Sequence, residues 1–364
     1  MSSQNGLRKQ MPSETAGIIL VGPGLIGKRH AALIADNTRA RLAAVVAPDR
    51  AANTDFADAE GVPFFTDLEE AIRCCDADGI IIASPNEFHA AHATIAINAG
   101  LPALLEKPIT STLEEARKVV SLAARKDARI LIGHHRHHSP LLAKADTIIR
   151  SGKLGRIVSF TGSAQFYKPT QYFLDGPWRT KQGGGPILIN LIHEIGICRA
   201  LVGEIDEVHA MASSTIRGFE VEDTVALSLR FVDGALGVFL LSDCASTPMS
   251  WEQTSCENLA YPTYPQVDCY AVTGTLGSLH FPTMRVFRYN SEAEASWWTP
   301  YVSESDRPKR VDPLEVQLSH FLDVIAGTAT PLVSAEDGFQ NLRVLEAIRL
   351  SICEKRAVFV KDVL

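Results

Sequence analysis

The stretch that most constrains this chain lies near its start. Four aliphatic residues, Ile18-Ile19-Leu20-Val21, run straight into Gly22-Pro23-Gly24-Leu25-Ile26-Gly27. A helical pattern follows from Lys28 to about Ala35, and a second apolar run, Leu42–Val46, comes next. Strand, glycine turn, helix, strand is the context in which a G-x-G-x-x-G pattern carries meaning. Gly22 permits the tight turn, Gly24 lets backbone approach a pyrophosphate, and Gly27 lets helix and strand pack closely. The helix start adds free N–H groups and a positive dipole end. Gly22, Gly24, Leu25, Ile26 and Gly27 are therefore the candidate contacts to a dinucleotide.

The end of the second strand leaves the cofactor open between NAD and NADP. An acid there would bind the ribose hydroxyls, but the chain reads Val46-Ala47-Pro48-Asp49-Arg50. Asp49 suits a ribose, whereas Arg50 suits a 2′-phosphate.

The alternation continues. Leu68–Cys75, His89–Ala99 and Leu113–Ala124 read as helices; Gly79–Ala83, Ala103–Leu105 and Ile130–Ile132 read as strands buried on both faces. This predicts βαβ units on a doubly wound parallel sheet. The character changes after Gly133. Helices at about Pro140–Ser151 and Ile187–Leu201 flank an aromatic, glycine-rich loop. Alternating runs then follow at Glu207–Ser213, Thr224–Phe231, Ala235–Ser242, Tyr270–Thr273 and Ser278–Phe281. They predict a C-terminal α+β domain with a large, mostly antiparallel open sheet. Helices at Pro313–Ile325 and Ala335–Lys355 close the chain. The expected division is a disordered leader over 1–16, a Rossmann domain over 17–138 and an α+β domain over 139–364, with the last helices packing back on the Rossmann domain.

Bulk properties exclude other classes. At 364 residues the chain suits two domains. A net charge of -7 lacks the basic footprint of a nucleic-acid binder. No apolar run is long enough to span a bilayer, and the first residues do not read as a secretory signal. The seven cysteines are scattered and form no zinc pattern. Reduced thiols and a cytoplasmic location are expected. The segment His134-His135-Arg136-His137-His138 does not read as a metal site, because successive side chains in an extended stretch point to opposite sides. Arg136 is its candidate for substrate or cofactor contact.

Three further segments give the chain a resemblance. They are Ser84-Pro85-Asn86-Glu87-Phe88-His89, Glu106-Lys107-Pro108, and Gly183-Gly184-Gly185 before a helix carrying His193. In this order the chain resembles the glucose–fructose oxidoreductase/inositol dehydrogenase (Gfo/Idh/MocA) family. The resemblance implies a dehydrogenase acting on a sugar, inositol or related polyol. It places Ser84, Asn86, His89 and Glu106 beside the cofactor. It makes Lys107 and His193 catalytic, and puts Trp178 and Arg179 in a loop near the substrate, with Tyr167 in the same loop. A homodimer or homotetramer is implied as well.

Oxidising an alcohol requires a base for the hydroxyl proton and a positive charge beside the developing alkoxide. His193 suits the first role because imidazole titrates near neutrality, and Lys107 the second. The chain departs from the family where Asp often precedes the histidine by four residues: Ile189 stands there, with Asn190 one residue on and Gly196 beyond the histidine. Asn190 can hold a substrate hydroxyl or orient the imidazole but cannot act as a base. Either His193 acts without a carboxylate, or Glu194 or another residue replaces it. Two other functions fit the same motifs: a redox-neutral lyase or hydrolase with tightly held cofactor, and a non-catalytic dinucleotide-binding regulator.

Overall fold

The computed structural model describes residues 15–363. The leader expected over 1–16 lies, up to residue 14, outside the described residues, and Ala16 already opens the first strand. The chain forms two compact units. One runs to Gly133 and includes Gln317–Glu336; the other comprises His134–Val316 and the residues from Asp337 onward.

The first unit holds six parallel strands: β1 (Ala16–Val21), β2 (Ala40–Val46), β3 (Phe64–Phe65), β4 (Gly79–Ile82), β5 (Ala103–Leu105) and β6 (Ile130–Ile132). Their order is β3-β2-β1-β4-β5-β6. The crossovers carry α1 (Leu25–Ala35), α2 (Ala51–Glu60), α3 (Leu68–Cys74), α4 (His89–Ala99) and α5 (Leu113–Lys126). Covering both faces of the sheet leaves Ile18, Ile19, Leu20, Ile80, Ile81, Ile82, Leu104 and Leu105 without solvent contact, which is why these strands are aliphatic throughout. Local signals set the helix starts. Thr112 and Glu115 form a reciprocal capping box on α5, and Asp67 caps α3. The order reverses between β1 and β4, where Val21 pairs with Ile82 and the Ala83 N–H donates to Val21 O. Such a reversal is where doubly wound sheets bind ligands. The late segment joins this unit through backbone: the Ile132 N–H donates to Val333 O, and Arg129 donates to the carbonyls of Val324 and Ile325.

The second unit is built on nine strands: β7 (Ile157–Gln165), β8 (Ile205–Ser213), β9 (Thr224–Phe231), β10 (Leu236–Ser242), β11 (Tyr270–Gly274), β12 (Gly277–Phe281), β13 (Arg285–Arg288), β14 (Val302–Ser305) and β15 (Val358–Phe359). The order is β14-β13-β12-β11-β7-β10-β9-β8-β15. Only β7 and β10 pair in parallel. The helices along this part of the chain are α6 (Pro140–Arg150), α7 (Thr170–Leu174), α8 (Ile192–Val202), α9 (Trp251–Thr254), α10 (Pro313–Ile325) and α11 (Ala335–Glu354). The mixed, mostly antiparallel sheet is the one expected, but four of its strands were not read from the sequence: central β7, and β13, β14 and β15 toward the two edges. The central strand escapes the alternation pattern because it is rich in small and polar residues. The Phe239 ring on β10 lies where a Cβ at Gly162 would stand, 2.3 Å from it, so the neighbouring strand supplies the bulk. Inward residues such as Phe160, Leu227, Leu229, Phe239 and Leu241 are buried, while Leu236 and Val238 are 52% exposed and Met211 is 67% exposed. Among the described residues no helix is long and apolar enough to cross a membrane.

Candidate active site

In the first unit the glycine turn has the shape a dinucleotide needs. Gly22 has φ +90°, and a Cβ there would meet Ser84 backbone at 2.7 Å. A Cβ at Gly27 would stand 2.1 Å from Gly22 O, whereas one at Gly24 would meet nothing within 4 Å. The turn is thus packed against the protein at Gly22 and Gly27 and open at Gly24. Gly24 is also the N-cap of α1 and brings no side-chain cap, so the first N–H groups of that helix suit phosphate oxygens. Leu25 is 91% exposed beside them, and Ile26 is half-buried. After β2, Ala47 is buried while Asp49 and Arg50 are exposed. Both remain available to a ribose or its phosphate.

The two loops after β4 and β5 are linked by buried polar contacts. Ser84 and His89 are buried, Asn86 half-buried. Both ring nitrogens of His89 face backbone carbonyls, Nδ1 at 2.7 Å from Pro108 O and Nε2 at 2.9 Å from Ser84 O. Glu106 is buried and accepts from His30 Nε2 at 2.8 Å. His30 has no solvent contact, and the carboxylate also lies where a Cβ at Gly133 would stand. Glu106 therefore ties α1 to the loop that carries Lys107, which is half-buried and follows β5. His30 was legible as an interior residue, since it continues the buried stripe Gly27, His30, Ala31, Ile34. Its carboxylate partner was not.

In the second unit His193 lies in the first turn of α8 and is 7% exposed. The helix expected from Ile187 starts with a π-helical segment, Ile187–Leu191, and becomes α at Ile192. Single π turns recur near functional sites. Ile189 and Asn190 fall in this wider turn, so the register between Asn190 and His193 is not that of a regular α-helix. Lys168 donates from Nζ to Asn190 Oδ1 at 2.8 Å and lies 3.8 Å from Asp243. With its oxygen engaged in this way, Asn190 presents its NH2 as a donor. The rings of His134 and His135 pack edge-on against His193, at 5.7 and 5.3 Å between centroids. Among the described residues no group of three or more His, Cys, Asp or Glu is arranged to hold a metal.

Three candidates are engaged by other partners. Arg136 is buried, donating to Glu194 Oε1 at 2.6 Å and Glu252 Oε1 at 3.0 Å, with the guanidinium over Trp251. These carboxylates hold its pKa above the ordinary arginine value against the opposing effect of burial. Glu194, the possible carboxylate beside the histidine, accepts from Arg136 and from the Tyr270 hydroxyl. Burial raises its pKa, with Arg136 pulling the other way. The pair anchors α8 to the His135–His138 turn. In the loop, Arg179 donates to Tyr172 O and its guanidinium lies 3.9 Å from the Tyr172 ring centroid. A second cation, Lys168 Nζ, is 4.9 Å from the same centroid. Tyr167 and Trp178 are 61% and 53% exposed. Lys168 lies next to Tyr167 in this loop, and its tie to Asn190 leaves no trace in the sequence, because no local pattern links positions 22 residues apart.

Residues 16–134 match the family model described as an oxidoreductase family with an NAD-binding Rossmann fold, and residues 142–280 match the GFO/IDH/MocA C-terminal domain. The chain belongs to the Gfo/Idh/MocA family of oxidoreductases. It is 25% identical over 346 residues to inositol 2-dehydrogenase of Rhizobium meliloti, covering 94% of this chain and 98% of that one. It is 29% identical over 295 residues to 1,5-anhydro-D-fructose reductase of Ensifer adhaerens, covering 76% and 78%. The fold is shared with an oxidoreductase from Agrobacterium radiobacter solved with NAD+, L-tartaric acid and magnesium. That likeness has a TM-score of 0.78 at 19% identity and spans 97% of this chain and all of that one. The NAD-binding domain and the oxidoreductase class follow from the family.

Proposed function

We propose that this protein oxidises a secondary hydroxyl of an inositol, a sugar or a related polyol. The main support is the full-length similarity to an inositol 2-dehydrogenase, joined by a levoglucosan dehydrogenase of Pseudarthrobacter phenanthrenivorans that is 29% identical over 256 residues. A bound nicotinamide dinucleotide supplies the two-electron acceptor. Gly22, Gly24, Leu25, Ile26 and Gly27 hold its pyrophosphate, with Asp49 or Arg50 at the ribose and Ser84, Asn86 and Glu106 shaping the inner end of its site. Lys107 places a positive charge beside the substrate hydroxyl and favours the alkoxide. His193 takes the proton. Asn190, oriented by Lys168, donates to a neighbouring substrate oxygen. Tyr167 and Trp178 offer aromatic faces to a sugar ring, and Arg179 braces their loop.

We place the enzyme in the cytoplasm, supported by seven free cysteines. A homodimer or homotetramer is proposed through the apolar outer face of the nine-stranded sheet.

The test is an absorbance screen for the reduced nicotinamide. Purified protein is mixed with inositols, anhydrosugars, aldoses and polyols, each with NAD+ and with NADP+. Turnover of one substrate class supports the reading, and the preferred cofactor decides between the roles of Asp49 and Arg50. Dinucleotide binding without turnover on any hydroxyl substrate overturns it. On the active substrate, Lys107→Ala is expected to lower kcat by about 10²–10³-fold, as loss of one electrostatic donor does, while dinucleotide affinity is kept.

A further inference from the structure

His89 is a histidine without a solvent face whose two ring nitrogens both point at acceptors. It is 1% exposed, with Pro108 O at 2.7 Å from Nδ1 and Ser84 O at 2.9 Å from Nε2. A backbone carbonyl can only accept. A neutral imidazole has one N–H and one lone pair, so in either tautomer one contact would set a lone pair against a carbonyl oxygen. Only the doubly protonated ring makes two hydrogen bonds here. We infer that His89 is a positioning residue that, as an imidazolium, clamps the Ser84 turn to the loop carrying Lys107.

Burial disfavours that charge and lowers the proton affinity of the ring; the two carbonyls and the Glu106 carboxylate oppose the loss, while Lys107 adds to it. On α4 itself, His92 lies nearby and its Nδ1 is 3.0 Å from Ser84 Oγ. The geometry favours the charged form, because charge-assisted bonds to two carbonyls are stronger than neutral ones. The mechanical consequence is specific. Ser84 O belongs to the turn after β4, and Pro108 directly follows Lys107. One side chain at the first residue of α4 thus sets the spacing between the turn proposed to line the cofactor and the backbone from which Lys107 projects. His89 touches the cofactor loops through their backbone, so its contribution is to placement.

This inference rests on the proposal that Lys107 serves the hydroxyl, and the experiment separates the two. The full-length protein is labelled with 15N-histidine and its ring nitrogens are recorded against pH, with His89→Gln and His89→Asn assigning the signal. One histidine carrying protons on both ring nitrogens at neutral pH, lost in the variants, is the expected result. A single ring proton on His89 overturns the clamp whatever the enzyme oxidises. On a substrate found by the screen, His89→Gln is expected to lower kcat by about 10²-fold, the cost of a displacement near 1 Å at a reacting group, a larger factor than any rise in the KM for dinucleotide. Unchanged kcat overturns the positioning role. If both variants fail to fold, the wild-type spectrum decides, since the histidine signal with two slowly exchanging ring protons is either present or absent. Inactivity of the wild-type protein on every substrate counts against the proposed reaction, while the protonation of His89 read from the spectrum still supports or overturns the clamp.

Discussion

Glu257 shows how a single buried group sets a pH dependence. Its Oε1 accepts from the Ser139 hydroxyl, which also caps α6, and its Oε2 has no hydrogen-bond partner among the described residues. Burial pushes its pKa up to about 7. A carboxyl raised above its unfolded value binds its proton more tightly in the folded state. The stability this supplies is complete below the ordinary carboxyl range and is lost as pH climbs to about 7. Glu257→Gln keeps an oxygen for Ser139 and removes the ionisation. The variant is expected to melt higher than the parent above neutrality, by about 2–3 kcal/mol in stability, and to converge with it in acid. Thermal melts across that range check this; parallel curves would mean Glu257 does not govern the slope. At this scale the sequence marked Lys107, His193 and the glycines by motif. It gave no sign that Arg136 meets Glu194 and Glu252 or that Lys168 meets Asn190, because the partners stand 58, 116 and 22 residues apart and only folding brings them together.

At the scale of elements, the sharpest expectation concerns α1. Its start is fixed by Gly22 and Gly27, and a Cβ at Gly27 would lie 2.1 Å from Gly22 O. Gly27→Ala must therefore push the helix from the turn. We expect a loss of about 1–3 kcal/mol, the usual cost of overpacking, together with weakened dinucleotide binding. Denaturant unfolding and dinucleotide titration test both, and unchanged affinity would show that the turn tolerates a wider spacing. Elements with a strong period or a distinctive cap were readable: the aliphatic strands of the parallel sheet, α5 with its capping box, and β9 with its alternation. Those lacking such signals were not. Central β7 has small and polar residues where Phe239 of a neighbouring strand provides the bulk. The π-helical segment Ile187–Leu191 reads as ordinary helix because its composition is that of a helix.

For the whole molecule, the exposed face of the nine-stranded sheet carries the proposed self-association. Leu236, Val238 and Leu240 alternate outward along β10, with Met211 exposed on β8. An apolar strip of this kind marks an interaction surface. Val238→Lys with Leu240→Lys is expected to shift the protein to a smaller species without unfolding it, because both side chains already point outward. Sedimentation velocity reads the outcome, and an unchanged assembly would place the interface elsewhere.

The sequence by itself determined the doubly wound sheet, the dinucleotide turn and the motifs of an oxidoreductase. These depend on local periodicity, on glycine stereochemistry and on short spacings along the chain. Tertiary structure alone decided which buried charges pair, how His89 spans two loops, that Asn190 is held by Lys168, and that Gln317–Glu336 returns to the first unit. Those outcomes depend on close packing, and on the strong tendency of buried polar groups to find partners that chain folding brings from far away.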